Sequence, residues 1–482
     1  MDCPLGAGAG FTIGAHVLRP CLIRADAMNA IIRCERSDLQ TSASDPPDWI
    51  TLTVTMSGIG RVQRVGRRLP ATVLLSVFVL AAGLMLHPSP DGAGHKASGK
   101  RSKLRWQAHA VAQIPNGYQL AVADVNGDGR QDILALSSTA NLVTWYENPS
   151  WTPHPITSQT RRNISLAPLA RPGGLLHGLA LASEFNLEDS RNGGEVWWAI
   201  PPTDEDSEWR LKLIGSYPTS HRLRWANLDG SGRRVLVNAP ILGIGAEKPE
   251  YRVGAPLTWY EFPESLSRGH ASALDERDLH WTSHVIDKSL TVVHGITIVD
   301  WNGDGRDEIL TASFEGVHLF QSTGRLPDLE WNKTRLCEGD QVSRPRRGSS
   351  EVAAGKLHGR RFIATIEPWH GEKVAIYFEG KRGGLWKRYV IDESFHDGHA
   401  LAVGDLDGDG NDEVIAGYRG PGTTLCVYHA ADSRGTKWQR QTLDPNMAAA
   451  CVVIADVNAD GRPDVVAIGA STGNVVWYEN LD

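Results

Sequence analysis

The chain has 482 residues, of which 41% are hydrophobic and 22% charged, a balance that excludes an intrinsically disordered protein. The length suits one large domain or about three ordinary ones. A net charge of -7, with no run of lysines or arginines in the bulk of the chain, argues against nucleic acid as a partner.

Residues 1–55 show neither hydrophobic periodicity nor a coherent element, and they carry Cys3, Cys21 and Cys34. Met56 then opens a segment built like an export signal. Arg61, Arg64, Arg67 and Arg68 precede an uncharged apolar stretch at 69–86, an n-region followed by an h-region. As a helix this stretch would span about 27 Å, close to a bilayer core. No clear Ala-x-Ala site follows it, so a cleaved signal peptide and an uncleaved membrane anchor at 56–86 both stay open. Arginines on one flank set orientation in a membrane and speak against a buried core helix. The expectation is an exported protein, periplasmic or extracellular, starting at Met56 and preceded by a spurious extension at 1–55. Residues 87–103, with Pro88, Pro90, Gly92, Gly94 and Gly99, read as a flexible linker. Cys337, Cys426 and Cys451 are odd in number and lack metal-site spacing, so no disulfide framework is implied.

From residue 104 to 482 two signals repeat. One is an alternating strand that begins at a tryptophan and carries a polar residue three positions on. It occurs at Trp106, Trp151, Trp209, Trp281, Trp331, Trp386 and Trp438. The average spacing, about 55 residues, leaves room for four short strands with turns, which is one propeller blade. The other is an acidic loop between two apolar strands. Its intact copies carry Asp124, Asn126, Asp128 and Asp132; Asp300, Asn302, Asp304 and Glu308; Asp405, Asp407, Asp409 and Glu413; and Asp456, Asn458, Asp460 and Asp464. A worn copy lies at 227–235. A third strand follows, as in Trp145-Tyr-Glu-Asn148, Trp259-Tyr-Glu261 and Trp477-Tyr-Glu-Asn480.

With strands ordered a to d outward from the axis, the chain ends just after a c strand and begins with a surplus d strand around Trp106. Pairing the two closes the ring and removes the exposed edge. The predicted fold is therefore all-β: a seven-bladed propeller over 104–482 whose N-terminal strand completes the last blade.

Oxygen ligands at loop positions 1, 3, 5 and 9, with glycine at 6, suit a hard cation, and calcium is the expected structural cofactor. Zinc would prefer nitrogen or sulfur. On the opposite face, counting 12 or 13 residues beyond each d-strand tryptophan reaches the entry to strand a. The residues met there are Tyr118, Asn163, His221, His294, His399 and Ala450, with none clear in blade 5. His370, in Glu367-Pro-Trp-His-Gly371, and Arg419 fall on the same face, and an insertion at 240–255 overhangs it. His294, His399, His370 and Arg419 are the catalytic candidates, and His221 joins the histidines as a ligand for zinc or another divalent metal. The plainer alternative is that these histidines only cap strand a. His109, His154 and His284, on d strands, read as structural.

The acidic loops resemble the FG-GAP or VCBS type of propeller repeat. Trp259-Tyr-Glu, Trp281-x-x-His284, Glu367-Pro-Trp-His370-Gly, the 399–419 stretch and Trp477-Tyr-Glu-Asn together resemble the propeller of the aldos-2-ulose dehydratases. That resemblance implies a carbon–oxygen lyase acting on a keto-sugar, in which cupin-like domains that follow the propeller share the activity. Two functions therefore stay open. The first is a calcium-stabilised module binding a carbohydrate or a protein, since no nucleophile–base pair or carboxylate dyad is legible. The alternative is a metal-dependent sugar dehydratase with Arg419 on an oxyanion.

Overall fold

The computed structural model describes residues 103–202, 209–263, 280–380 and 383–482, and the backbone of three strands nearer the N-terminus. Those three, Ala30–Glu35, Trp49–Met56 and Arg68–Pro70, form an antiparallel sheet within a unit spanning Met1–Lys100. The rest of the expected N-terminal extension, the signal or anchor segment at 57–67 and beyond Pro70, and the linker up to 102 lie outside the described residues. No helix among the described residues is long and apolar enough to cross a membrane.

The second unit, Arg101–Asp482, contains seven four-stranded antiparallel sheets. Blade 1 is Gly117–Ala123, Asp132–Ser137, Val143–Glu147 and Thr152–Thr157. Blades 2 to 6 repeat this order. Blade 7 takes Ala449–Ala455, Asp464–Gly469 and Asn474–Asn480 from the C-terminus and its outer strand, Trp106–Gln113, from the start of the unit. The register runs from Asn474 opposite Gln113 to Asn480 opposite Trp106. The seven-bladed ring closes as the surplus and deficit of strands require.

Burial follows position in the blade. Strand b is covered on both faces by neighbouring blades, so Asp132–Ser137, Glu308–Ser313 and Asp464–Gly469 are buried at every residue. That is why these strands read as unbroken apolar runs. The outer strands alternate between exposed and half-buried positions. Hydrophobic clusters occupy the seams between adjacent blades. The seam joining blades 7 and 1 holds Ile114, Ile133, Val466 and Ile468.

The d-strand histidines belong to this scaffold. His109, His154 and His284 stack on Trp477, Trp145 and Trp259 at centroid distances of 4.3, 4.3 and 4.1 Å. Each also bonds through Nε2 to the glutamate that follows in the third strand, at 2.8, 3.1 and 2.7 Å. The asparagine ending that motif ties blades together: Asn148 Nδ2 donates to the Val457 carbonyl and Asn480 Nδ2 to that of Leu406.

Candidate functional site

Strand a lies nearest the axis, so residues at its entry in different blades approach one another. His294 precedes Gly295–Val299, while His221 and His399 are the second residues of their strands. All three are at most 2% exposed. Gly295 permits the approach of blades 4 and 5, because a Cβ there would sit 2.8 Å from the Ser350 carbonyl oxygen. His370 arrives from the b-to-c turn of blade 5 with φ at +49°, a left-handed backbone that turns the chain sharply.

Ligand atoms of His294, His370 and His399 all lie within 4.8 Å of one another. The protons on these rings can be placed from their partners. His399 Nδ1 lies 2.6 Å from the Ala450 carbonyl and must donate to it, which leaves the lone pair on Nε2. His294 Nδ1 sits 3.0 Å from the Ser350 carbonyl and 3.1 Å from a Glu351 oxygen, so it too carries the proton. His370 Nδ1 lies 3.2 Å from the Asp397 carboxylate, an acceptor, and 3.3 Å from Arg419 Nη2, a donor. The Nε2 atoms of His294 and His370 are 3.0 Å apart: with the His370 proton on Nδ1 both present lone pairs, and with it on Nε2 His370 donates to His294. In the first tautomer the two lone pairs repel unless a shared cation lies between them, and it is the one that suits a metal. A ring nitrogen donating to a carboxylate or carbonyl while its partner faces an ion is the usual outer arrangement of a histidine metal site.

Burial, the main cause, pushes all of these imidazoles down; it holds His370 at about 3 against the opposing pull of Asp397. They are neutral at physiological pH, as metal ligands must be. Burial would raise Glu351, but the Arg222 guanidinium and His294 override it and hold the carboxyl at about 2.

The expected site residues do not all play one part. His221 stands outside the trio. Its Nδ1 donates to the His294 carbonyl at 3.1 Å, and its Nε2 faces Tyr118 Oη at 2.9 Å and Arg222 Nη1 at 3.2 Å. Arg419, expected to bind an oxyanion, has its Nε and Nη2 engaged by Asp397 at 3.1 and 3.0 Å, so it also fixes that carboxylate beside His370. The insertion packs Ile241, Leu242 and Tyr251 against Phe314, and Tyr251 reaches Trp369, the neighbour of His370, at 5.9 Å between ring centroids.

Sequence reasoning missed Glu351, Arg222 and Asp397, and gave Tyr118 no role. Glu351 belongs to blade 5, where counting from the tryptophan finds nothing. Trp331 lies inside its strand, Asp328–Cys337, rather than before it, and a longer connection follows. Asp397 and Arg222 had a signal, each standing within two residues of a histidine already singled out.

On the opposite face the acidic loops fold around their first residue. Asp124 accepts from the backbone N–H of Gly127 and Gly129, and Asp300 from Gly303 and Gly305. The ninth residue braces the loop: Asp132 accepts from Val125 and Asn148, and Asp464 from Val457 and Asn480. Burial, helped by Asp128 and Asp124, raises Asp132 to about 6 although those backbone bonds oppose it. In blade 6 the Asp405, Asp407 and Asp409 carboxylates come within 4.8 Å of one another, and Asp407, Glu413 and His429 form a second such group.

Repeats, ring closure and acidic turns together define an FG-GAP-repeat β-propeller, and FG-GAP and FG-GAP-like repeat families match residues 116–141 and 405–467. More particularly, the propeller is related to that of aldos-2-ulose dehydratase, whose β-propeller domain family matches residues 193–380. Aldos-2-ulose dehydratase of Phanerodontia chrysosporium is 23% identical over 394 residues, covering 75% of this chain. The match spans 41% of that protein's length. A putative 6-phosphogluconolactonase from Bacteroides uniformis ATCC 8492 is a looser likeness, with a TM-score of 0.44 and 12% identity over 76% of this chain and 93% of the other.

Proposed function

We propose that this propeller is a metal-dependent carbon–oxygen lyase acting on a keto-sugar, with His294, His370 and His399 holding one zinc or similar divalent ion. The observation that carries this reading is the convergence of three neutral imidazoles, two of them backed by carboxylates. It favours the lyase over a module that only binds carbohydrate or protein, because three protein ligands leave a coordination position for a substrate. The relation to aldos-2-ulose dehydratase supplies the substrate class. When bound, the ion would polarise a carbonyl oxygen as a Lewis acid and so acidify the neighbouring C–H. The chain's own residues do the rest. Asp397 and Glu351 orient two rings, and Arg419 holds Asp397. Tyr118 Oη, 2.9 and 3.1 Å from His221 and His399, is the hydroxyl placed to pass a proton at the mouth. Incubating the zinc-loaded protein with an aldos-2-ulose should yield an absorbing enone by loss of water, and a zinc chelator should stop the reaction. No turnover by fully loaded protein would overturn the lyase reading and leave the binding module.

The same proposal gives the acidic loops calcium, which export would meet at concentrations suited to extracellular sites. Their carboxylates crowd at the a-to-b turns, and an ion neutralises them. An ion bound only to the folded ring stabilises it by mass action, by about 2.7 kcal/mol per site at a hundredfold excess over Kd. Calorimetry should therefore show the melting temperature falling by several degrees on adding a calcium chelator. An unchanged melting curve with no calcium in the purified protein would count against calcium in these loops.

A further inference from the structure

Along the axis, next to the histidine mouth, lies a cavity of ≈ 350 Å³ whose walls include Tyr118, Arg222, Arg224, Glu351, His399 and Cys451. At roughly 30 Å³ per water it has room for about ten waters or a small solute. Its charges do not balance. Arg222, 7% exposed, pairs with Glu351 Oε1 at 2.7 Å, and the same oxygen lies 3.1 Å from His294 Nδ1. Arg224 has no carboxylate in salt-bridge reach among the described residues, and its one hydrogen bond runs from Nη1 to the Leu223 carbonyl at 2.8 Å. A guanidinium carries five donors, so most of those on Arg224 face the cavity. Burial and the nearby Arg222 work against its charge more strongly than Cys451 and Glu351 support it. Leu120, Leu166 and Val453 contribute apolar side chains to the walls, and among the described residues Glu351 is the one carboxylate that lines the cavity.

We infer that this axial cavity is an anion site, in which Arg224, with Arg222 beside it, binds a small oxyanion: a sugar-acid carboxylate or a free phosphate. Arg224 is half-buried without a carboxylate partner, and a bound oxyanion supplies both the charge and the acceptors that its fork lacks. The inference rests on Arg224 and the cavity, not on an ion at the histidines.

Thermal melting of the full propeller in a zwitterionic buffer without added salt tests it, with phosphate and glucuronate as probes and Arg224→Met as the variant. Saturating anion should raise the wild-type melting temperature by about 2–5 °C and leave the variant unmoved. Without anion the variant should melt at or above the wild type, since the unpaired charge is gone. A larger shift with glucuronate identifies a sugar acid and a larger one with phosphate a free anion; either supports the site. Equal shifts in both proteins, or none in either, would overturn it. If the variant does not fold, selenate soaked into wild-type crystals decides: an anomalous peak within about 3 Å of the Arg224 guanidinium supports the site, and an empty cavity refutes it.

Discussion

Replacing His370 by asparagine is expected to weaken zinc binding by at least about 100-fold and to abolish keto-sugar turnover, while the calcium-dependent melting temperature stays close to that of the parent. The site suits a clean test. His370 is half-buried in a turn with φ at +49°, and asparagine is among the residues that tolerate this left-handed backbone. Loss of an outer partner alone costs about 10- to 100-fold in metal affinity, so loss of one ligand of three should cost more. Asp397→Asn should give the intermediate value, because it removes the carboxylate that fixes the His370 proton on Nδ1 while sparing all three ligands. Zinc titration against a competing chelator measures both. If His370→Asn binds zinc as tightly as the parent, the three histidines do not form one site.

Removing residues 104–112 is expected to destabilise the whole ring, although this segment is remote in sequence from the blade it completes. It supplies the outer strand of blade 7, the His109 stack on Trp477, and Leu104 in the seam between blades 6 and 7. Arg105 also anchors the far end, through its side chain to Asp482 at 2.7 Å and its carbonyl to the Leu481 N–H. Losing several hydrogen bonds at about 1 kcal/mol each, with burial of Leu104 and Val111, amounts to on the order of 5 kcal/mol. That is a large part of a domain stability of about 5–15 kcal/mol. The truncated chain would also expose the Asn474–Asn480 edge and should aggregate. Unfolding by urea reads the first effect and light scattering the second; a truncated protein as stable and soluble as the parent would contradict the closure described above.

The fold was legible because each blade repeats the same physical pattern. Strand b is buried on both faces and strand d has a tryptophan at or near its start, so apolar runs and tryptophans recur at blade spacing, with a stacked histidine in three of the seven d strands. Closure was legible because strands could be counted. The site was only partly so. Equivalent positions in a closed ring must meet at the axis, which singled out His221, His294 and His399, and the turn motif added His370. Which atoms those rings present depends on partners drawn from other blades. Glu351, Asp397 and the Ala450 carbonyl turn lone pairs inward, and no spacing in one chain encodes such cross-ring contacts. The Asp397 partner of Arg419 was hidden for the same reason, since it stands 22 residues away in sequence. The unpaired charge of Arg224 is likewise visible only when the neighbouring blades are in place.

The central claim, one transition metal held by three imidazoles, is tested most directly by X-ray absorption at the zinc edge. The sample should be wild-type protein loaded with one equivalent of zinc after calcium-site metals have been replaced by calcium. Three histidine nitrogens at about 2.0–2.1 Å, with a further light-atom ligand, are expected. A spectrum showing oxygen ligands alone, or zinc that washes out on dialysis, would contradict it.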